Sequence, residues 1–151
     1  MKIYLGADHK GFHLKNKVFA YLQKRGFDVE DVSGKELDPN DDFPQFAAAA
    51  ALKIIGDSED SARGILLCGG GQGMAMAANR FKGIRAIVAS TSEDARWGRN
   101  DNDANVLSLP ARTLENDDDQ YWQDTIDTFL STEFSAAARF VRRNKELDEL
   151  S

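Results

Sequence analysis

The feature that most constrains this chain is a glycine-rich turn between a buried strand and a helix. Residues 64–67 (Gly-Ile-Leu-Leu) carry no polar side chain, which predicts a central strand covered on both faces. The turn Cys-Gly-Gly-Gly-Gln-Gly follows at 68–73, and helix-forming residues run from 74 to 80. Glycines leave backbone N–H groups unobstructed, so a turn of this kind at a helix start predicts a receptor for an anion or a developing oxyanion.

The turn alone does not identify a ligand. Nucleotide-binding folds, phosphosugar enzymes and plain tight turns all use glycine-rich connections between a strand and a helix. This one lacks the Lys-Ser/Thr pair of a P-loop, and no acidic residue stands where a dinucleotide-binding fold needs it.

Strand and helix patterns alternate along the whole chain. Beside the strand at 64–67, strands are predicted at 2–5, 27–32, 84–89 and 106–109. Helices are predicted at 14–25, 44–55 and 74–80, from 93 onward, and at 120–129 and 134–150. The alternation predicts an α/β fold with a mainly parallel sheet, helices on both of its faces and a C-terminal helix.

Length and charge exclude several classes of protein. The 151 residues predict one domain over 1–151, and the net charge of −6 argues against nucleic acid or an anionic membrane as a partner. Apolar runs are far shorter than a bilayer span, and the N-terminus lacks the pattern of a signal peptide. A lone cysteine forms no internal disulfide and is typical of a reducing compartment, so we expect a cytoplasmic protein.

Polar side chains at predicted strand ends are the candidates for chemistry. Cys68 ends the central strand, where open parallel sheets bind ligands, and free N–H groups there favour a thiolate; the alternative is a small core residue. Asp8 and His9 follow the first strand, and His9 is either a phosphate donor or acid/base group or a plain surface or capping residue.

Two further clusters have both a functional and a structural interpretation. The amide and carboxylate run at 100–105 suits turn and capping chemistry, and it lacks the Gly and Glu of a calcium loop. Arg139 and Arg143, four residues apart on the last predicted helix, suit either a phosphate clamp or a solvated face. The acidic residues at 115–119 read as a solvated loop and helix start, and no pattern predicts a metal site.

Taken together, these segments resemble the ribose-5-phosphate isomerase B family, which includes the galactose-6-phosphate isomerase subunits. The resemblance runs nearly end to end. The matching motifs are Gly-Ala-Asp-His-Lys-Gly-Phe at 6–12, Asp-Phe-Pro at 42–44, Gly-Ile-Leu-Leu-Cys-Gly-x-Gly-x-Gly-Met at 64–74, Ala-Ala-Asn-Arg at 77–80, Gly-Ile-Arg-Ala at 83–86, and Asn-Asp-Ala-Asn-Val-Leu at 102–107 with Arg112.

The resemblance implies a Rossmann-like three-layer sandwich and aldose–ketose isomerisation of a phosphorylated sugar without metal or cofactor. It also implies a homodimer or homotetramer with sites shared between subunits. Cys68 matches the base that moves a proton between C1 and C2 through a cis-enediolate, and the turn amides match its oxyanion donors. The implied substrate-binding residues are Asp8, His9, Gly69, Gly71, Gly73, Asn102, Arg112, Arg139 and Arg143.

Two positions depart from the family pattern at catalytic slots. Gly70 stands where the family commonly has Thr, and Asp101 stands where it has the histidine associated with opening the sugar ring. Three interpretations follow: Asp101 opens the ring with a raised pKa, the enzyme relies on open-chain substrate, or the substrate is another phosphosugar. Phe43 replaces the usual Tyr near the site.

Both the assignment of the terminal arginines to the family's positions and the predicted function have alternatives. Counting from Phe134 puts Ala138 and Arg142 in the family's arginine slots, whereas one inserted residue puts Arg139 and Arg143 there on one helical face. The leading hypothesis is a ribose 5-phosphate isomerase. The alternatives are a non-catalytic phosphosugar-binding paralogue or supporting subunit of a hetero-oligomeric isomerase, and a nucleotide-binding flavodoxin-like module.

Overall fold

A computed structural model describes residues 1–58 and 61–150, which form one sheet flanked by helices. The strands are β1 Lys2–Ala7, β2 Asp28–Asp31, β3 Arg63–Cys68, β4 Ala86–Val88 and β5 Val106–Pro110. The helices are α1 Phe12–Lys24, α2 Phe43–Gly56, α3 Gln72–Ala78, α4 Ser92–Asn102, α5 Ala111–Leu114, α6 Asp119–Ser131 and α7 Ala138–Asp148.

All five strands are parallel, in the order β2-β1-β3-β5-β4. The central strand β3 pairs with β1 through Ala7 opposite Leu67, and with β5 through Cys68 opposite Pro110. The predicted α/β sandwich is confirmed. The register brings the ends of β1, β3 and β5 level with one another at the carboxyl edge of the sheet.

Each face of the sheet has its own core. One face packs against α1, α4 and α6, and α1 contributes Leu14, Val18 and Leu22, which are fully buried at helical spacing. The other face packs against α2 and α3, where Ala47, Ala50 and Ala51 let α2 approach the sheet closely. Because both faces are covered, β3 is buried throughout its apolar run, as its composition predicts.

Two glycines are required by the backbone geometry around the carboxyl edge. A Cβ on Gly11 would lie 2.5 Å from the Leu67 carbonyl oxygen, so only glycine lets the turn after β1 sit against β3. Gly71 has φ 76°, in the left-handed region, and a Cβ there would press on the backbone of Leu109 and Pro110. Both positions hold the loops of the site against the sheet.

The run 100–105 is only partly a turn, so that prediction is corrected. Its first three residues are the last turn of α4, which ends where Asp103 adopts a left-handed conformation with φ 45°. The helix persists because Arg99 is buried and donates to the Asp103 carboxylate at 2.7 Å across the end of the helix. The asparagine- and aspartate-rich composition gave no sign that the helix continues into this run.

The last helix starts later than position 134. Ala136 has φ 51°, and the Ser135 N–H donates to the Asn100 carbonyl oxygen at 3.1 Å, which fastens the preceding segment to α4. α7 therefore begins at Ala138. The short helix α5 was not predicted, and the other elements match their predictions within a few residues. No helix in the described ranges is long and apolar enough to span a membrane.

Candidate active site

The carboxyl edge of the sheet collects most of the candidate residues. Asp8 and His9 follow β1, Cys68 ends β3, and Arg112 lies on α5 directly after β5. The chain leaves β1 towards β2 on one side and returns as β3 on the other, so the strand order reverses between β1 and β3. Open parallel sheets bind their ligands at this reversal, outside the carboxyl ends of the strands.

Cys68 is held inside the glycine turn. The residue is only 6% exposed, and its Sγ accepts a hydrogen bond from the Gly71 N–H at 3.2 Å. The carbonyl oxygen of Gly71 in turn accepts from the buried Ser108 hydroxyl at 2.6 Å. The sulfur is therefore a hydrogen-bond acceptor within the glycine turn. The hydrogen bond from Ser108, on β5, fixes the conformation of that turn.

Asp8 lies beside Cys68 because β1 and β3 are neighbours. Its backbone N–H donates to the Leu67 carbonyl oxygen at 3.2 Å, and its Oδ1 accepts from the N–H groups of Lys10 and Gly11 at 2.9 and 3.1 Å. Burial raises the pKa of Asp8, and the two backbone hydrogen bonds oppose that rise. Both bonds go to one oxygen, which leaves Oδ2 without a hydrogen-bond partner among the described residues.

A buried lysine fixes the strand that carries Asp8. Lys15 is 1% exposed and donates to Asp31 at 2.7 Å, to Ser33 at 3.1 Å and to the Gly34 carbonyl oxygen at 2.8 Å. The Ser33 hydroxyl also accepts from the Ala7 N–H at 3.2 Å. The ammonium thus uses all three of its donors to join α1 to the end of β2 and the loop after it and, through that loop, to the end of β1.

His9 is oriented by an aspartate from the loop before α2. Asp41 Oδ1 lies 2.7 Å from His9 Nδ1 and accepts the His9 backbone N–H at 2.9 Å. Within the described residues no group is hydrogen-bonded to His9 Nε2. The Asp41 contact at Nδ1 fixes the orientation of the ring, so Nε2 is the nitrogen left for a ligand.

Arg112 and Phe43 border the glycine turn. A Cβ on Gly69 would lie 3.0 Å from Arg112 Nη2, so the guanidinium rests directly on the turn, and the Arg112 N–H donates to the Gly69 carbonyl oxygen at 2.9 Å. A Cβ on Gly73 would meet the Phe43 ring at 3.0 Å. The glycines therefore make room for a cation on one side and an aromatic ring on the other.

Asp101 and Asn102 lie at the opposite edge of the sheet, the amino edge, where the parallel strands begin. Asn102 ends α4 and its carbonyl oxygen accepts from Arg85 Nε at 3.0 Å, just before β4 begins. Asp101 accepts from the Asn100 side chain at 2.7 Å. The four residue steps of β5 separate the two edges by about 13 Å. One copy of the chain therefore does not bring either residue to its own Cys68.

Arg139 and Arg143 also lie away from the carboxyl edge. Both are exposed on α7 and share one face, with guanidinium carbons 4.5 and 6.0 Å from the Phe140 ring centroid. Arg142 points elsewhere and lies 3.7 Å from Glu146. Arg139 and Arg143 therefore share one helical face, as the sequence predicts. Their contact with a phosphate stays a prediction.

Two residues that sequence patterns did not reveal also face the site. Asp41 is one of several acidic residues in an irregular loop, so nothing local marks it as the partner of His9. Gln72 is the only polar side chain in the run 69–73, and its amide lies over Gly70. Within the described residues, no group of three or more His, Cys, Asp or Glu is arranged to hold a metal ion.

Fold and site together define a class of protein. A doubly covered parallel sheet carries a thiol, a carboxylate, an oriented imidazole and a guanidinium around an open glycine turn, which are the elements of an α/β enzyme for a small anionic substrate.

Comparison with known proteins identifies the family. Residues 3–147 match the model of the Ribose/Galactose Isomerase family. Ribose-5-phosphate isomerase B of Escherichia coli is 42% identical over 113 residues, which cover 75% of this chain and 74% of that protein. A solved ribose 5-phosphate isomerase from Thermotoga maritima superposes with a TM-score of 0.90 at 40% identity, over 98% and 97% of the two chains.

A solved ribose-5-phosphate isomerase B from Mycoplasma genitalium contains bound ribulose-5-phosphate. It superposes with a TM-score of 0.91 at 34% identity, over 99% of this chain and 95% of that one. The chain belongs to the Ribose/Galactose Isomerase family, and the resemblance found in its motifs is confirmed.

Proposed function

We propose that this aldose–ketose isomerase interconverts ribose 5-phosphate and ribulose 5-phosphate, with Cys68 as the base. The observation that carries the proposal is the environment of Cys68. Its sulfur ends the central strand, accepts the Gly71 N–H, and lies between Asp8 and the glycine turn at the edge where the fold binds ligands. Relatives named ribose-5-phosphate isomerase B, one of them with bound ribulose-5-phosphate, support this substrate.

The chemistry is a proton transfer between neighbouring carbons. The Cys68 thiolate removes the proton from C2 of the open-chain aldose, and the C2–H electron pair forms the C1–C2 double bond while the C1 carbonyl becomes an oxyanion. The thiol then returns the proton to C1, and the C2 oxygen becomes the ketone as its own proton passes to the C1 oxyanion, which becomes a hydroxyl. No atom is gained or lost overall.

The turn is suited to the charge that develops on oxygen. The Gly70 N–H has no partner in the described chain, and the first N–H groups of α3 have none within the helix. Fixed donors of this kind stabilise an enediolate without reorganising during the reaction, and removing one such donor from an enzyme typically costs a factor of about 100 or more.

In a single copy, two groups at the carboxyl edge are placed to contact the phosphate of the sugar. His9 with its free Nε2 and Arg112 over Gly69 are the groups at this edge that suit a phosphate. Arg139 and Arg143, together with Asp101 and Asn102, are too far away to join them in the same copy.

We therefore propose that a second copy of the chain completes each site. Because Asp101 and Asn102 are separated from Cys68 by the length of β5, the implied set of residues assembles only if another subunit brings its amino edge against this carboxyl edge. A dimer arranged in this way contains two sites, each with Cys68 from one chain and Asn102 from the other.

The base assignment is tested by proton exchange. Wild type, Cys68→Ala and Cys68→Ser are incubated in deuterium oxide with ribose 5-phosphate, ribulose 5-phosphate and a panel of hexose 6-phosphates. We expect deuterium at C2 of ribose 5-phosphate formed by the wild type, and a loss of about 1000-fold in both variants. Retained binding of ribulose 5-phosphate by Cys68→Ala controls for folding.

Other outcomes choose between the remaining hypotheses. Deuterium exchange with a hexose 6-phosphate alone would contradict ribose 5-phosphate as the substrate and would leave Cys68 as the proposed base. Binding without any exchange in the wild type contradicts the isomerase and leaves a non-catalytic paralogue or a supporting subunit, which the departures at Gly70 and Asp101 would then mark.

The shared site is tested by mixing two inactive variants. Cys68→Ala and Asn102→Ala chains are unfolded, refolded together and assayed against each protein refolded alone. In a mixed dimer one site carries both substitutions and the other carries neither, so random pairing restores about a quarter of the wild-type activity. If both residues serve a site within one chain, mixing restores nothing.

A further inference from the structure

Gln72 occupies the space that a side chain at position 70 would fill. A Cβ built on Gly70 would overlap the Gln72 Oε1 atom, with the amide carbon 3.3 Å and the amide nitrogen 3.7 Å away. Gly70 does not have a positive φ, so its backbone accepts any L residue. What keeps this volume closed to a side chain at residue 70 is the Gln72 amide.

The amide is exposed and has no hydrogen-bond partner within residues 1–58 and 61–150. Several neighbouring polar groups do have partners: Asp41 binds His9, Asp8 Oδ1 accepts two backbone N–H groups, and Ser108 donates to Gly71. Gln72 therefore reaches over the turn without forming a contact that would stabilise the turn itself. Gln72 is the first residue of α3, two residues after Gly70 and four after Cys68, which ends β3.

A carboxamide suits the oxygens that change during this reaction. It has two N–H donors and one carbonyl acceptor, so it can bind an oxygen as a carbonyl, a hydroxyl or an oxyanion. The C1 and C2 oxygens of the substrate pass through these states as the proton moves between the carbons. A side chain that only donates or only accepts would lose its partner at one stage.

We propose that Gln72 is a catalytic residue whose amide, lying over Gly70, hydrogen-bonds the C1 and C2 oxygens of the sugar. This inference rests on the proposed isomerase function. It also assigns a consequence to Gly70: the missing side chain at that position is what allows Gln72 to fold over the turn. Residues 70 and 72 then form one unit in which one side chain excludes the other.

The test is a double-mutant cycle with wild type, Gly70→Thr, Gln72→Ala and the double variant, assayed for ribose 5-phosphate isomerisation. We expect Gln72→Ala to lower kcat/KM about 10- to 100-fold, which is the loss of one or two hydrogen bonds to the reacting oxygens. Gly70→Thr alone also lowers it, because the new side chain displaces the amide. The double variant should have a kcat/KM about fivefold or more above that of Gln72→Ala, since the threonine hydroxyl enters the vacated volume.

Gln23→Ala, an exposed glutamine on α1, is the matched control and should leave kcat/KM unchanged. Thermal unfolding of each variant separates lost contacts from lost fold, and kcat is read separately from KM. Multiplicative effects of the two substitutions, or a Gln72→Ala variant with wild-type kinetics, overturn this inference while the isomerase function stands. A wild type that lacks isomerase activity overturns both.

Discussion

The two edges of the sheet use polar residues in opposite ways. At the carboxyl edge, Asp8 Oδ2, His9 Nε2 and the Gly70 N–H are left without partners among the described residues, around a buried thiol. At the amino edge, Arg85 donates to Asp103 and Asp148, and Arg99 donates to Asp103, so these two guanidinium groups are paired with carboxylates. The comparison teaches that strongly charged clusters mark structure here, whereas unfilled hydrogen-bonding capacity marks the site.

The largest effect that follows from this comparison is on stability at the amino edge. Arg99 is 4% exposed and donates to Asp103 at 2.7 Å, to the Ala104 carbonyl oxygen at 2.7 Å and to that of Thr132 at 3.2 Å. Arg99→Ala should lower the free energy of unfolding by about 3–5 kcal/mol, because it strands these acceptors. Urea unfolding measures the loss.

Arg96→Ala is the matched control on the same helix. Arg96 is exposed, and among the described residues its ion-pair partner is the exposed Glu93, so Arg96→Ala should cost far less stability than Arg99→Ala. Equal losses for the two variants would contradict a structural role that is specific to the buried amino-edge network.

Asp8→Asn should give the next largest effect, this time on activity. An asparagine can still accept the Lys10 and Gly11 N–H groups but lacks the charge of the carboxylate towards sugar hydroxyls, so we expect kcat/KM to fall about 10- to 100-fold. Steady-state kinetics with ribose 5-phosphate measure the loss, and unchanged kinetics would exclude Asp8 from the site.

Asp8→Asn should also gain stability relative to the wild type as pH rises. Burial raises the pKa of Asp8, so the stabilising proton is present in the folded protein below the ordinary value of 3.8 and is lost as pH rises through the higher folded value. Above that range the wild type buries a charge that Asp8→Asn does not. Thermal unfolding at pH 3.5 and pH 7 should therefore show the advantage of the variant only at the higher pH. A lower melting temperature for the variant at pH 7 would contradict this sign.

Asp41→Asn tests the orientation of His9 with a smaller expected change. The substitution weakens the contact at Nδ1 and allows the ring to turn, so KM should rise about three- to tenfold with a smaller change in kcat. Asp38→Asn, in the same loop, keeps an oxygen for the Asn40 N–H and should match the wild type. A fall in kcat at constant KM would place Asp41 in the chemistry instead.

The smallest effect is predicted for an exposed ion pair on α7. Arg142 and Glu146 are 3.7 Å apart, with 64% and 66% of their side chains exposed. Glu146→Gln should change the free energy of unfolding by less than about 0.5 kcal/mol. A loss comparable with that of Arg99→Ala would show that pairing as such, and not burial, gives the amino edge its stability.

Local sequence was sufficient for much of this protein. The unbroken apolar run before Cys68 predicts a strand buried on both faces, and the alternation of elements predicts the parallel sheet. Residues that directly follow a strand, such as Asp8 and Cys68, could be placed at one edge because parallel strands end together. Helix limits were less predictable where specific hydrogen bonds fix them: Arg99 donates to Asp103 at the end of α4, and the Asn100 carbonyl oxygen accepts the Ser135 N–H before α7.

The sequence by itself determined the family, the sheet and the identity of the groups that end its central strands, since these follow from periodicity and from motifs read along the chain. Only the tertiary structure decided that Asp41 orients His9, that Gln72 covers Gly70, and that Asp101 and Asn102 lie at the far edge from Cys68. The physical reason is that hydrogen bonds and excluded volume depend on distances across the fold. A motif specifies which groups are present, and packing specifies which of them can meet.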